Sequence, residues 1–207
     1  MGVPTESRTG VGPTAEPAAF RDAVAAMNGA RMRPEMHTEP MPAPQRIAPF
    51  AAALSADLDV DGEEVGTGRL ILLHDPAGND AWNGDFRCVA YARAEIDPDM
   101  ITDPLLADVG WAWLTEALAE HGAEFEAISG TVTRVATENY GGMAEDSGAA
   151  QVEIRASWTP TGPTLATGSL DVAPHAEAWG ELLCTAAGLP PVPDGVAVMP
   201  TRRSRGG

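Results

Sequence analysis

Asp57-Leu58-Asp59-Val60-Asp61-Gly62 sets three carboxylates at alternate positions and closes them with a glycine. Those are the first six positions of an EF-hand calcium loop, in which oxygen ligands stand at 1, 3 and 5 and a glycine at 6 makes the sharp turn. The pattern then departs from that loop. The twelfth position, which requires a bidentate glutamate, is Gly68; the eighth is Glu64 in place of an apolar residue; and the stretch from Gly68 onward reads as a strand, not an exiting helix. Two readings stay open for Asp57, Asp59 and Asp61: a calcium loop of another kind, or a solvated acidic turn.

The four histidines, His37, His74, His121 and His175, form no His-x-x-x-His pair and no Cys/His cluster with zinc spacing. His74-Asp75 is a metal-hydrolase dipeptide without the partner segments such an enzyme needs. His121 falls in the last turn of a helix pattern, where the helix dipole favours positive charge. There is no Gly-x-Ser-x-Gly elbow, and Gly66-Thr67-Gly68 precedes a strand, the wrong context for a dinucleotide loop. The chain has no lysine, all 13 of its basic residues being arginine. This excludes Schiff-base chemistry and the lysine of a P-loop. No catalytic residue and no cofactor are assigned on these patterns. Trp82, amid Asn79, Asp80, Asn83 and Gly84, reads either as an exposed anchor for a partner or as a side chain tucked onto the sheet.

The formal net charge of −17 disfavours nucleic acid and anionic membranes as direct partners. No apolar run approaches the roughly 20 residues of a membrane span, and the N-terminus lacks a basic start followed by an apolar core. Cys88 and Cys184, far apart, read as free buried thiols, for which the cytoplasm is the expected setting.

The elements that position these residues follow from periodicity. Residues 1–15 and 190–207 read as disordered tails around one domain at 16–189. Phe20, Val24 and Met27 share a helix face between Pro17 and Gly29. Residues 31–44 hold four prolines and read as an extended strap over the surface. Ile47, Phe50, Leu54 and Leu58, at spacings of three and four, predict a second helix. Strands come next at Gly68–His74 and around Phe86 to Glu95, with Phe86, Cys88, Ala90, Ala92 and Ala94 inward and Arg87, Val89, Tyr91 and Arg93 outward. A helix runs from Pro104, capped by Asp103, to Gly122, with a stripe of Leu106, Val109, Trp113 and Ala117 and with Leu114 and Leu118 beside it. Strands at Ile128–Glu138 and around Val152 to Trp158, the latter with Val152, Ile154, Ala156 and Trp158 inward and Gln151, Glu153, Arg155 and Ser157 outward, precede a last helix from Pro174 to Gly188. The expected fold is α+β, an antiparallel sheet of about four strands with helices on one face. Arg69–Gly122 and Thr131–Gly188 each read as a hairpin followed by a tryptophan-bearing helix, which points to an internal duplication.

Arg33-Pro34-Glu35-Met36, Pro42 through Phe50, Gly68 through Pro76, Asp103 through Trp111, Ser129 through Arg134 and Ile154 through Pro160 together resemble an actinobacterial family of unknown function, number three thousand in the DUF series. The resemblance spans roughly residues 18–188 and implies no activity. It implies one partner, a ribonuclease-D-like protein encoded beside members of the family. Arg33, Glu35, Gln45 and Arg46 sit on the proline-stiffened strap, where the arginines can pair carboxylates or bind an anion, or the strap can be purely structural. The leading expectation is a non-catalytic protein-interaction module. The alternative is a ligand-binding domain or enzyme with a pocket between sheet and helices, using Arg33, Arg46 or His74.

Overall fold

The computed structural model describes residues 15–143 and 148–191. Apart from residues 15, 190 and 191, the two segments expected to be disordered lie outside them. Within them the chain is an α+β fold built on one six-stranded antiparallel sheet. The strands are β1 (Met36–Met41), β2 (Phe50–Val60), β3 (Glu63–Asn79), β4 (Gly84–Glu95), β5 (Phe125–Thr137) and β6 (Ala149–Pro160), in the order β1-β2-β3-β4-β6-β5. Three helices, α1 (Ala18–Asn28), α2 (Leu106–Glu120) and α3 (Ala173–Ala186), complete it.

The sheet exceeds the expected four strands because the predicted second helix is β2. Its apolar spacing of four is a multiple of two as well as one helical turn. Leu54 and Leu58 therefore share a strand face, and Ala56, buried between them, completes the alternation. The acidic turn comes next as a two-residue hairpin loop. Asp61 (φ 56°) and Gly62 (φ 88°) both take the left-handed conformations that a type I′ turn demands. Part of the proline strap is β1, an edge strand; only an edge tolerates Pro40, which has no N–H to give.

Alternation in β4 and β6 is as expected, with Cys88, Ala90, Ala92, Val152, Ile154, Ala156 and Trp158 buried on one face. All three helices pack on that face and share its core. The buried stripe of α2 is rotated from the expected one: Leu106, Gly110, Leu114, Ala117 and Leu118 face inward, while Val109 is 40% exposed. Gly110 allows the turn to approach Val132 of β5, which draws the helix round.

The helices cross over. α2, which follows the β3–β4 hairpin, packs on β5 and β6; α3, which follows β5–β6, packs on β3 and β4. Two glycines permit this. A Cβ at Gly68 of β3 would lie 2.8 Å from Trp179 Cζ2 of α3, and one at Gly130 of β5 would lie 2.7 Å from Trp111 Cζ3 of α2. Each hairpin is thus covered by the tryptophan helix of the other. Trp179 Nε1 donates to the Tyr91 carbonyl at 3.0 Å, which fixes the ring over Gly68.

A buried polar pair anchors the same layer. Trp158 Nε1 donates to His175 Nδ1 at 3.1 Å, joining the end of β6 to the start of α3. Burial, opposed by a hydrogen bond to the Thr161 backbone and by Asp171, lowers the His175 pKa to about 4, so the imidazole is neutral.

Candidate functional site

The helix-free face mixes charged and hydroxyl side chains with a few apolar ones, Ile71 and Val89 among them. Pairing register places Ser55 of β2, Arg69 of β3, Tyr91 of β4, Arg155 of β6 and Thr131 of β5 in one row across five strands. The next row holds Asp57, Thr67, Arg93, Glu153 and Thr133. Apart from Glu153 and Thr133, the residues of these rows, together with Ser129, Ser157, Ile71 and Val89, line an open trough of about 1040 Å³. It lies on the sheet face opposite the helices, whereas the layer between sheet and helices at this level is filled by the apolar core.

Polar contacts order the trough floor. The Arg155 guanidinium lies over the Tyr91 ring, 5.2 Å from its centroid, and donates to Glu153 Oε2 at 3.0 Å. Tyr91 Oη donates to the other Glu153 oxygen at 3.1 Å. Burial and that hydrogen bond raise the tyrosine pKa, so the phenol stays protonated. Arg93 Nε donates to Gln151 Oε1 at 2.9 Å. The exposed Arg69 side chain has no hydrogen bond or ion pair among the described residues. A cation aimed at solvent beside an ordered aromatic and a set of hydroxyls is a donor array for an anionic group.

Arg87, on the same face toward one end of the sheet, does structural work. It is 8% exposed. Its Nη1 donates to the Ala127 carbonyl at 2.9 Å and to Thr159 Oγ1 at 3.2 Å, and its Nη2 donates to Ser157 Oγ at 2.7 Å. Burial lowers its pKa, with the nearby Cys88 opposing. Ala127 (φ 48°) sits in the β5 bulge, so Arg87 ties that bulge to β6.

Apart from Asp57, the sequence candidates fall elsewhere. Arg33 and Glu35 pair at 3.3 Å, and Arg33 Nη1 also donates to the Pro190 carbonyl. Burial works against the Glu35 charge, but the bond from Arg33 leaves its pKa lowered. Gln45 and Arg46 lie in the segment between β1 and β2, where Arg46 takes a positive φ of 71°. His74 is buried against Phe86 at 4.1 Å between ring centroids, with Phe20 and Phe50 near, and its Nδ1 meets the Asp85 carbonyl. Arg33 and Glu35 are paired with each other, and among the described residues no hydrogen bond, ion pair or ring contact joins them to Gln45, Arg46 or His74. Trp82 is half-buried in the β3–β4 turn, and its carbonyl accepts from Thr159 Oγ1.

Asp57 and Asp59 lie in β2 and Asp61 in the turn. Asp59 Oδ1 accepts from the Gly62 amide at 2.8 Å, and Asp57 faces the trough. Among the described residues no three His, Cys, Asp or Glu side chains converge on one point. Cys88 and Cys184 are buried and unpaired; burial pushes the Cys88 thiol up and that of Cys184 up to about 12. Among the described residues no helix is long and apolar enough to cross a membrane.

Arg69, Tyr91, Arg93 and Arg155 were not singled out from the sequence as a site. Their outward parity was legible in β4 and β6. What brings them together is the β4–β6 pairing, between strands that are not consecutive.

One family description, a protein of unknown function (DUF3000), matches residues 16–197. No curated protein and no solved structure matches the chain.

Proposed function

The chain belongs to the DUF3000 family, and we propose that it acts as a non-catalytic protein-interaction module that docks a partner on the helix-free face of its sheet. The observation that carries this reading is the open trough crossed by Arg69, Tyr91 and Arg155. Small-molecule sites enclose most of their ligand. This surface is a broad trough open to solvent across several strands, which suits a macromolecular face. Its groups support binding: cations, hydroxyls and a phenol held protonated by burial and its bond to Glu153. The two buried thiols fit a reducing, cytoplasmic setting.

The first partner to test is the ribonuclease-D-like protein of the same genome. Isotope-labelled protein titrated with it should show amide shifts concentrated on β3, β4 and β6 at outward positions. Arg69→Glu should weaken the complex about tenfold, the effect of reversing one rim charge next to an anionic group. Shifts confined to α2 and α3, or full affinity in Arg69→Glu, refute docking on this face.

A further inference from the structure

We infer that the segment docked in the trough is a short, extended, carboxylate-rich peptide stretch, its acids paired by Arg69 and Arg93. The inference rests on the docking reading and specifies its partner.

Charge complementarity selects the class. The protein as a whole carries −17, yet three exposed arginines meet on this face. Arg155 is already committed to Glu153 and to the Tyr91 ring. Arg93 spends one donor on the neutral Gln151, and Arg69 spends none on a side chain. Two guanidinium groups with free donors therefore sit on adjacent rows of neighbouring strands. Strand spacing of about 4.8 Å and about 7 Å between same-face residues put their backbones within about 10 Å. An extended peptide with acids at alternate positions presents carboxylates about 7 Å apart, a match for that separation.

The border limits the length of the acidic run. Glu39 ends the first row on the β1 side, Asp57 stands in the second row on β2, and Glu95 lies two residues beyond Arg93 on the same face. A long polyanion laid along the trough would place its charges against these carboxylates and the acidic body around them. Tyr91, which a nucleic-acid base would need for stacking, is already covered by Arg155. Two or three acids flanked by hydroxyl or neutral residues fit between the borders.

The test uses the whole protein and a rhodamine-labelled peptide of the pattern Ser-Glu-Ser-Glu-Ser-Glu-Ser, read by fluorescence anisotropy at low salt. The same peptide with glutamine for glutamate and an oligouridylate of similar length serve as comparisons. The glutamate peptide should bind at least tenfold more tightly than the glutamine peptide, weaken with added salt, and weaken about tenfold in Arg69→Gln and again in Arg93→Gln. Both arginines are surface residues, and an unchanged melting temperature will certify each variant as folded. Equal binding of the two peptides overturns the acidic specificity. Tighter binding of the oligouridylate overturns the choice of partner class. Affinity unaffected by either substitution places the peptide elsewhere and also overturns the inference. The docking reading is judged separately, by the partner titration: a partner that shifts the trough amides while the glutamate peptide does not bind leaves that reading standing and removes only this one.

Discussion

The buried His175 makes stability depend on pH in a direction and window that can be worked out. Its folded pKa is about 4 against an ordinary 6.5. Above 6.5 both folded and unfolded chains hold the imidazole neutral, and its contribution is complete. As pH falls below 6.5 the unfolded chain takes up the proton first, so folding is penalised; below about 4 the loss is full. At roughly 1.36 kcal/mol per pKa unit the whole gap is about 3 kcal/mol, of which about 2 kcal/mol is already lost by pH 5. The perturbation is His175→Gln. Its amide oxygen can accept from Trp158 Nε1 and its NH2 can donate to the Thr161 carbonyl, but it cannot titrate. Urea unfolding followed by tryptophan fluorescence, run on both proteins from pH 7.5 to 4.5, isolates the contribution of the histidine, because the carboxylates are common to both. Wild type should lose about 2 kcal/mol relative to the variant by pH 5. Parallel stability curves would refute a buried, neutral His175.

Two further substitutions test the packing that shapes the trough. Gly68→Ala puts a methyl 2.8 Å from the Trp179 ring and 3.2 Å from the Tyr91 carbonyl; overpacking of this kind costs about 2 kcal/mol, a drop of several degrees in a thermal melt, whereas an unchanged melt means α3 shifts freely. Arg87→Met keeps the apolar stem but leaves the Ala127 carbonyl without its donor and removes the tie to Ser157 and Thr159; a loss of about 3 kcal/mol in denaturant, with faster amide exchange at the β5 bulge, is expected, and slow exchange there would refute the role of Arg87.

The sequence was most informative where period and burial coincide. In β4 and β6 strict alternation between small apolar and polar residues has one structural solution, and the outward sets Arg87-Val89-Tyr91-Arg93 and Gln151-Glu153-Arg155-Ser157 were assigned to the correct face. Phe50, Leu54 and Leu58 gave no such discrimination, because a spacing of four satisfies both a strand and a helix and the alanines between them carry little pattern. The prolines of residues 31–44 read as an extended strap over the surface, but only Pro40 falls within β1, where an edge position admits it. The trough was not legible for a topological reason. Its floor is assembled from β3, β4 and β6, and nothing in the local pattern of β4 states that β6, not β5, is its neighbour. Gly66 and Gly68 posed the same difficulty: they look like a phosphate loop in the wrong place, and their use, to admit Leu183 and Trp179, depends on a helix from the far end of the chain.

The exchange of helices between hairpins also sets an order on biosynthesis. When β3 and β4 have left the ribosome, the helix that follows them cannot close over them, because α2 belongs on β5 and β6. The first hairpin must wait, its apolar face uncovered, until Trp179 emerges and seats on Gly68. Neither half can be completed during translation without the other. The packing of the described domain is therefore complete only once α3, its last element, has been made, and until then Leu70, Leu72 and the alanine row of β4 lack the cover that α3 gives them.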